Sequence, residues 1–237
     1  MEVDLDGHPG LVLRPPNARF LYVLAHGAGA GMHHAFMTAI AEALAAEGVA
    51  TLRWEFPFMA AGKARLPRRG PSGRSVALRP DPAPVAEAAV RAVWTAARAQ
   101  FGELPMFAGG KSFGGRMTSR AHAAAPLDGL QGLAFLGFPL HPPDKPGIQR
   151  AEHLAAAKGP LLFVQGTRDA LADLKLLRPV VSRLGPRATL HVVEHADHGF
   201  DVLVRSGRSS KEVLAEIATT VAAWMDGVAR GTKPRRR

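Results

Sequence analysis

The segment Met106-Phe-Ala-Gly-Gly-Lys-Ser-Phe-Gly-Gly-Arg-Met-Thr118 joins a short apolar run, a glycine-rich turn and the start of a helical pattern. It contains the pattern G-x-S-x-G at residues 110–114, directly after a predicted strand over residues 105–109. A serine on such a strand-to-helix turn has a strained backbone, and flanking residues without a Cβ prevent collisions. The helix N-terminus that follows favours negative charge. The segment therefore predicts that Ser112 is a nucleophile at the edge of a sheet.

Two later strand ends carry the groups that a serine nucleophile requires. A hydroxyl is weakly nucleophilic and needs an adjacent base, which a third group must orient. Asp169 follows a predicted strand over 161–166, and His198 follows another over 188–193. The carboxyl ends of parallel strands meet at one sheet edge, where ligands bind. The order serine, acid, histidine therefore predicts a catalytic triad of Ser112, Asp169 and His198.

The acid has a structural alternative. Asp169 could instead be the N-cap of a predicted helix over residues 171–184, a role that aspartate often fills. Asp173 is a second candidate for the acid, but we expect it to lie one turn inside that helix.

The histidine also has a competitor, because His195 and His198 lie in the same segment. We favour His198, since Gly199 would let the chain bend back over the site. Asp197 is interpreted as a residue that structures the loop through its side chain rather than as the triad acid.

Acyl transfer also requires donors for an oxyanion. The backbone N–H of Phe113, directly after the nucleophile, is one candidate. The glycine-rich loop over residues 26–32 is the other source, with Ala28 favoured and Gly29 a close competitor. A plain strand-to-helix turn is the alternative for this loop. Two further side chains are candidates for substrate contact: His26 and Lys111.

Two cofactor motifs are only partly matched. Residues 110–112 resemble the end of a phosphate-binding P-loop, but the first glycine of that motif falls at Pro105. Residues 27–29 resemble the start of a dinucleotide fingerprint, but Met32 replaces its last glycine. We therefore expect no nucleotide cofactor.

Clustered histidines raise the possibility of a metal site. His195, Asp197 and His198 lie together, and His33 and His34 could add ligands. No H-E-x-x-H spacing is present, and a triad would itself place a histidine here. We expect no bound metal.

Short apolar runs alternate with helical patterns along the whole chain. We interpret residues 1–237 as one α/β domain with a doubly wound, mostly parallel sheet, helices on both faces and no separate cap domain. The predicted strands are residues 20–25, 50–54, 105–109, 132–138, 161–166 and 188–193. The predicted helix faces are Phe36/Ile40/Leu44, Val90/Trp94/Ala97/Phe101 and Val213/Ile217/Val221/Trp224/Val228, and Ser209 with Glu212 forms a capping box.

Two basic segments interrupt this alternation. Residues 56–84 contain six prolines and show neither period, which predicts a long loop, and residues 231–237 are predicted to be a flexible basic tail. The basic residues of these segments are Lys63, Arg65, Arg68, Arg69, Arg74 and Arg79 in the loop, and Lys233, Arg235, Arg236 and Arg237 in the tail.

The net charge of +10 invites a nucleic-acid interpretation. No aromatic residue interleaves with the basic residues, as a single-strand stacking surface would require, so we do not expect specific nucleic-acid binding. The chain has no cysteine, no apolar run long enough for a membrane span and no secretory signal pattern. We therefore predict a cytoplasmic protein without membrane attachment.

The chain resembles the α/β-hydrolase superfamily, in particular its small dienelactone-hydrolase-like members without a cap domain. The branch that it resembles most includes bacterial proteins of unassigned substrate and a subunit of the eukaryotic NSL histone-acetyltransferase complex. The similar stretches are residues 26–30, 56–58, 110–116, 166–171 and 196–200. The resemblance implies a triad of Ser112, Asp169 and His198, with the oxyanion hole at Phe113 and the Ala28–Gly29 turn.

Two features of the sequence differ from those relatives. Dienelactone hydrolases carry cysteine at the position of Ser112, so their substrate is not carried over. Lys111 occupies a position where many esterases have His, Tyr or Asp, which places a cation beside the nucleophile.

We therefore expect a hydrolase for a small ester, thioester or related acyl substrate that acts through an acyl-enzyme. The basic loop and Lys111 suggest an anionic substrate. The alternative is an interaction module of the same fold that binds an acidic partner, because fold does not imply catalysis.

Overall fold

The computed structural model of the protein describes residues 1–64 and 79–231. The strands in this part of the chain are β1 Glu2–Asp4, β2 Pro9–Leu13, β3 Phe20–Ala25, β4 Val49–Trp54, β5 Met106–Lys111, β6 Leu130–Leu136, β7 Leu161–Gly166 and β8 Ala188–Val193. They form one sheet in the order β1-β2-β4-β3-β5-β6-β7-β8. Strands β3 to β8 are parallel, whereas β1 and β2 form an antiparallel edge.

Helices cover both faces of this sheet. They are α1 Ala35–Ala46, α2 Pro57–Ala64, α3 Ala83–Phe101, α4 Phe113–Ala124, α5 Leu174–Arg183 and α6 Ser210–Ala229. Helices α1 and α6 pack on one face, and residues of α2, α3, α4 and α5 contribute to the core on the other. The capping box predicted at Ser209 and Glu212 starts α6, because each partner satisfies a backbone N–H of the other.

The central strands are buried on both faces, as their apolar runs predict. Along β3, alternate side chains enter opposite cores: Leu21, Val23 and Ala25 enter one, and Phe20, Tyr22 and Leu24 enter the other. Burial of such side chains contributes about 1.5–3 kcal/mol each. The predicted mostly parallel α/β sheet with helices on both faces is confirmed, and the described residues include no separate cap domain.

The prediction of one long loop over residues 56–84 is wrong at both ends. Helix α2 occupies Pro57–Ala64, and α3 already begins at Ala83. Pro57 suits a first helical position, where a backbone N–H has no helical partner. Phe58 and Met59 are buried in the core, so tertiary packing stabilises a helix too short to show a clear period.

The basic residues of this segment are largely beyond direct observation. Arg65, Arg68, Arg69 and Arg74 lie outside the described residues, as does the predicted tail beyond residue 231, and Arg79 is exposed.

Strands β1 and β2 were not predicted. They are a short edge pair, whose half-exposed residues lack the continuous apolar run of the central strands.

Candidate active site

Ser112 occupies the sharp turn between β5 and α4. Its backbone has φ 49° and ψ −115°, values that side-chain-bearing residues rarely adopt. Two backbone hydrogen bonds hold the turn. The Ser112 N–H donates to the carbonyl of Leu136 (3.1 Å), and the Ser112 carbonyl accepts from the N–H of Arg116 (3.1 Å). The side chain is thereby fixed at the carboxyl end of the sheet, where the G-x-S-x-G pattern predicts it.

The two outer glycines of the pattern allow this turn to approach β3 closely. A Cβ at Gly110, whose φ is +148°, would lie 2.2 Å from the carbonyl oxygen of Ala25. A Cβ at Gly114 would lie 2.5 Å from the carbonyl oxygen of His26. Both distances are far below van der Waals contact. Glycine at both positions therefore lets the loop after β3 pack beside Ser112.

His198 connects Ser112 to Asp169 through two hydrogen bonds. Its Nε2 lies 2.8 Å from Ser112 Oγ, and its Nδ1 lies 2.7 Å from Asp169 Oδ2. A carboxylate can only accept, so Nδ1–H donates to Asp169 and leaves the lone pair of Nε2 facing the hydroxyl. The structure thus brings together three side chains that are distant in the sequence.

The Asp169 carboxylate is fully buried and accepts from three donors. Besides His198, the amide of Gln165 donates to Oδ2, and the N–H of Leu171 donates to Oδ1 at 2.7 Å. Gln165 also accepts from the N–H of Phe138 (2.9 Å), which fixes its amide. Sequence reasoning missed Gln165. Its signal was a polar side chain within the otherwise apolar strand β7.

The predicted alternative for Asp169 as a helix N-cap is not what the structure shows. Helix α5 begins later than predicted, at Leu174, and its N-cap is Asp173, which accepts from the N–H of Lys175 at 2.8 Å. The expectation that Asp173 lies one turn inside the helix is therefore wrong. Because Asp173 caps the helix, the Asp169 side chain is available to His198.

The loop that carries His198 turns in an unpredicted way. Its left-handed residues are His195 (φ 65°) and Phe200 (φ 68°), whereas Gly199 has no positive φ. Gly199 is therefore not the bend that brings His198 over the site. Asp197 organises the loop as predicted, because its Oδ1 accepts from the N–H groups of Gly199 (2.8 Å) and Asp201 (3.0 Å). His195 is exposed.

The predicted oxyanion donors lie on both sides of Ser112. Phe113 is the first residue of α4, where helix geometry leaves the N–H without an intrahelical partner. From the other side, a Cβ at Gly27 would lie 3.8 Å from Ser112 Cβ, so the loop after β3 lies against Ser112. Ala28 and Gly29 line the same cavity as Ser112.

His26 occupies a different position from the one expected for a substrate contact. It is completely buried, its Nδ1–H donates to the carbonyl of Gly27 (2.7 Å), and its Nε2 accepts from the N–H of Phe56 (3.1 Å). Its ring also packs edge-on against Phe56 and Phe58. A ring enclosed in this way fastens the loop after β3 to the segment after β4 and does not face substrate.

Lys111 is in the cavity wall, but its ammonium group already has partners. It donates to the backbone carbonyl of His198. The Nζ atom also lies 5.2 Å from the ring centroid of Phe200 and 5.7 Å from that of Phe36. These rings stack with centroids 5.8 Å apart, and neither was predicted as a site residue. Lys111 thus connects the end of β5 to the His198 loop.

The ammonium of Lys111 is poorly hydrated in this position. Burial lowers its pKa to about 8, and the carboxylates of Asp169 and Asp197 partly oppose the decrease. A substantial neutral fraction therefore exists at mildly alkaline pH.

A cavity of about 620 Å³ adjoins Ser112 and His198. Its wall comes from the loop after β3, helix α1, the His198 loop and the start of α6, and it is mainly apolar. Lining residues include Ala28, Ala35, Phe36, Met37, Ala39, Lys111, Leu171, Phe200, Ser210 and Leu214. Its volume is within the range of small-molecule sites.

Two negative findings concern residues 1–64 and 79–231. No group of three or more histidine, aspartate or glutamate side chains there is arranged to hold a metal ion. None of the helices in those ranges combines the length and the apolar character needed to cross a membrane.

Comparison with known proteins assigns a sequence family. The profile of a family described as "Alpha/beta hydrolase domain" matches residues 18–226, which includes every site segment above.

Solved structures share the fold over almost the whole chain. A dienelactone hydrolase from Anabaena variabilis has 20% identity and a TM-score of 0.70, with 95% of each chain covered. A serine hydrolase without lid from Xanthomonas campestris has 20% identity and a TM-score of 0.61, with 100% of this chain and 96% of that chain covered. A cold-adapted esterase from an Arctic intertidal metagenomic library has 18% identity and a TM-score of 0.60, with 94% and 92% covered. At these identities the similarity establishes the fold.

Proposed function

The chain belongs to the alpha/beta hydrolase domain family, and on this basis we propose that it is a serine hydrolase that cleaves a small ester, thioester or related acyl substrate through an acyl-enzyme. The observation that carries the proposal is the continuous hydrogen-bonded series from Ser112 through His198 to Asp169, with distances of 2.8 and 2.7 Å. These distances are short enough for proton transfer without rearrangement.

Acylation would begin when Ser112 Oγ attacks the substrate carbonyl carbon. His198 Nε2 takes the hydroxyl proton as the new carbon–oxygen bond forms, and Asp169 stabilises the resulting imidazolium. The tetrahedral intermediate then collapses. Its bond to the leaving group breaks, and His198 returns the proton to the departing alcohol or thiol.

Deacylation would repeat this sequence with water. His198 removes a proton from the water molecule while the water oxygen attacks the acyl carbon. Collapse of the second intermediate releases the carboxylic acid and restores the Ser112 hydroxyl. No redox partner or cofactor is required for this balance.

The negative charge of both intermediates would be held by backbone donors. The N–H of Phe113 is one, and that of Ala28, or of its neighbour Gly29, is the other. Donors fixed before the reaction need no reorganisation as charge develops, which contributes about 2.7–4 kcal/mol for one such donor. The close packing of the β3 loop against Ser112 supports this assignment.

The cavity supports an apolar acyl group of modest size. Phe36, Phe200 and Leu214 line it beside Ser112, and the Lys111 ammonium in its wall is engaged by the His198 carbonyl. We therefore place the acyl group between α1 and the His198 loop.

Labelling with a fluorophosphonate probe tests the proposal. Wild type should be labelled at Ser112 and should hydrolyse p-nitrophenyl esters, whereas Ser112→Ala should lose both activities. Ser182→Ala, an exposed serine on α5, is the matched control and should behave as wild type. Wild type that is folded but neither labelled nor active would contradict the proposal.

A further inference from the structure

Three arginines lie close together, and the first of them is one helical turn beyond Ser112. Arg116 and Arg120 are four residues apart on α4, a spacing that places them on the same helix face. Arg150 belongs to a 3-10 helix, Gln149–Ala155, that packs against α4. All three side chains are half-buried and still reach solvent. We call these residues the arginine cluster.

The cluster has too few carboxylates for its charge. Arg120 pairs with Glu87 at 2.6 Å. Within residues 1–64 and 79–231, neither Arg116 nor Arg150 forms an ion pair with a carboxylate, and the buried Nε of Arg116 has no hydrogen-bond partner. Buried or half-buried charges are normally paired, because their desolvation is costly. Two guanidinium groups therefore have no carboxylate partner within the described part of the chain.

The guanidinium groups are close enough to perturb one another. Burial, followed by the charges of Arg150 and Arg120, lowers the pKa of Arg116 to about 10. The pKa of Arg150 is also lowered by burial. Guanidinium groups carry a positive charge in proteins, so an anion between them would relieve their mutual repulsion.

The surrounding structure holds the cluster in place. Ser119 donates to the carbonyl of Arg116 (2.9 Å), so its oxygen accepts from His153 Nε2–H (2.8 Å) and joins α4 to the 3-10 helix. His153 stays neutral, because burial and then the charges of Arg120 and Arg116 lower its pKa to about 4. Arg187 also holds this 3-10 helix, because it donates to the carbonyl of Leu154 (2.7 Å).

The cluster lies next to the nucleophile but not in the apolar cavity. The Arg116 N–H donates to the Ser112 carbonyl, so the two residues are about one turn apart, about 6 Å along the axis of α4. The cavity is lined from α1 and α6, whereas the cluster belongs to the opposite face of the sheet.

We propose that the arginine cluster binds an anionic group, a carboxylate or a phosphate, on the leaving-group side of the substrate. This inference rests on the proposed function and extends it to a substrate with an apolar acyl group and an anionic leaving group. Guanidinium groups bind planar carboxylates and phosphates through paired N–H donors, which suits arginine rather than lysine at these positions.

Aryl acetates whose leaving groups differ in charge test this subsite. The neutral substrate is 4-carbamoylphenyl acetate, and the anionic ones are 4-carboxyphenyl acetate and 4-acetoxyphenyl phosphate. Wild type should prefer at least one anionic ester, and comparison of the two distinguishes carboxylate from phosphate recognition. Arg116→Met and Arg150→Met should each lower kcat/KM for the preferred anion by about tenfold to a hundredfold, with less than about twofold change for the neutral ester.

The controls separate charge from folding. Arg178→Met removes an exposed arginine of α5 and should leave the preference intact, and Arg116→Lys should retain part of it. The preference should also weaken as ionic strength rises. Equal hydrolysis of neutral and anionic esters by wild type, or a preference that survives both methionine variants, would overturn the proposal.

Direct binding separates this inference from the proposed function. Calorimetry with 4-hydroxybenzoate and inorganic phosphate on Ser112→Ala needs no catalysis. Binding that Arg116→Met or Arg150→Met removes in this background supports the subsite even if wild type is not labelled by the fluorophosphonate. If neither anion binds, the proposed subsite is refuted even if the fluorophosphonate labels wild type.

Discussion

Replacement of Asp169 by asparagine probes the site at its most constrained point. Each carboxylate oxygen accepts from donors: Oδ2 from His198 and Gln165, and Oδ1 from Leu171. The NH₂ group of an asparagine amide must face either Leu171 or the pair His198 and Gln165. With the NH₂ towards Leu171, His198 keeps an acceptor but loses the charge that stabilises its protonated form. With the NH₂ towards His198, the imidazole is driven to the wrong tautomer.

The expected losses follow from these two orientations. The wrong tautomer costs a serine triad about 10⁴-fold in kcat, and loss of the charge alone should cost less, so we expect a decrease of about 10²- to 10⁴-fold for Asp169→Asn. One buried donor left without an acceptor destabilises the fold by about 1–3 kcal/mol. For a protein of this size, each kcal/mol lowers Tm by about 2–4 °C.

Asp173→Asn is the matched control. Asp173 caps α5 by accepting from the N–H of Lys175, and asparagine caps helices about as well. Hydrolysis of 4-carbamoylphenyl acetate gives kcat, and thermal unfolding gives Tm for both variants. If Asp169→Asn kept more than about a third of wild-type kcat, or if Asp173→Asn were the inactive variant, the assignment of Asp169 would fail.

Two further predictions concern charge and close packing. The pKa of Lys111 is lowered from 10.5 to about 8, so between these pH values the unfolded chain binds more protons and the free energy of unfolding should rise with pH. Lys111→Met should abolish this rise relative to wild type, as measured by urea unfolding at several pH values, and an unchanged pH dependence would contradict the burial of the ammonium. Gly114→Ala introduces a Cβ 2.5 Å from the His26 carbonyl oxygen, so it should destabilise the fold by about 1–3 kcal/mol and lower kcat. A fully stable and active Gly114→Ala protein would show that the two loops can separate freely.

The central strands were predictable because they are buried on both faces. Strands β3, β7 and β8 have the predicted bounds, β4 begins one residue earlier, and β5 and β6 differ by one or two residues at each end. Helix α2 and the β1–β2 edge could not be read from the same signals. Their residues are stabilised by contacts with distant elements, so the local pattern is weak.

Among the site residues, too, those set by local sequence could be predicted and those set by long-range contacts could not. Ser112 could be identified because a local turn with glycines on both sides has a specific steric cause. The roles of Asp169 and Asp173 depended on where α5 begins. The helix starts at Leu174, three residues after the predicted start at Leu171. Gln165 and the stacked pair Phe36 and Phe200 act through contacts between elements far apart in the sequence.

The sequence by itself determined the parallel sheet, the strand-to-helix turn at Ser112 and the strand ends that carry Asp169 and His198, because these depend on local sterics and on apolar periodicity. Only the tertiary structure decided that His26 fastens a loop, that Lys111 contacts the His198 carbonyl, and that Arg116 and Arg150 lie close together without a carboxylate partner among the described residues. Which side chains are buried, and which groups they contact, is set only when the chain is packed. A side chain carries its charge and its donors in the sequence, but its neighbours exist only after folding.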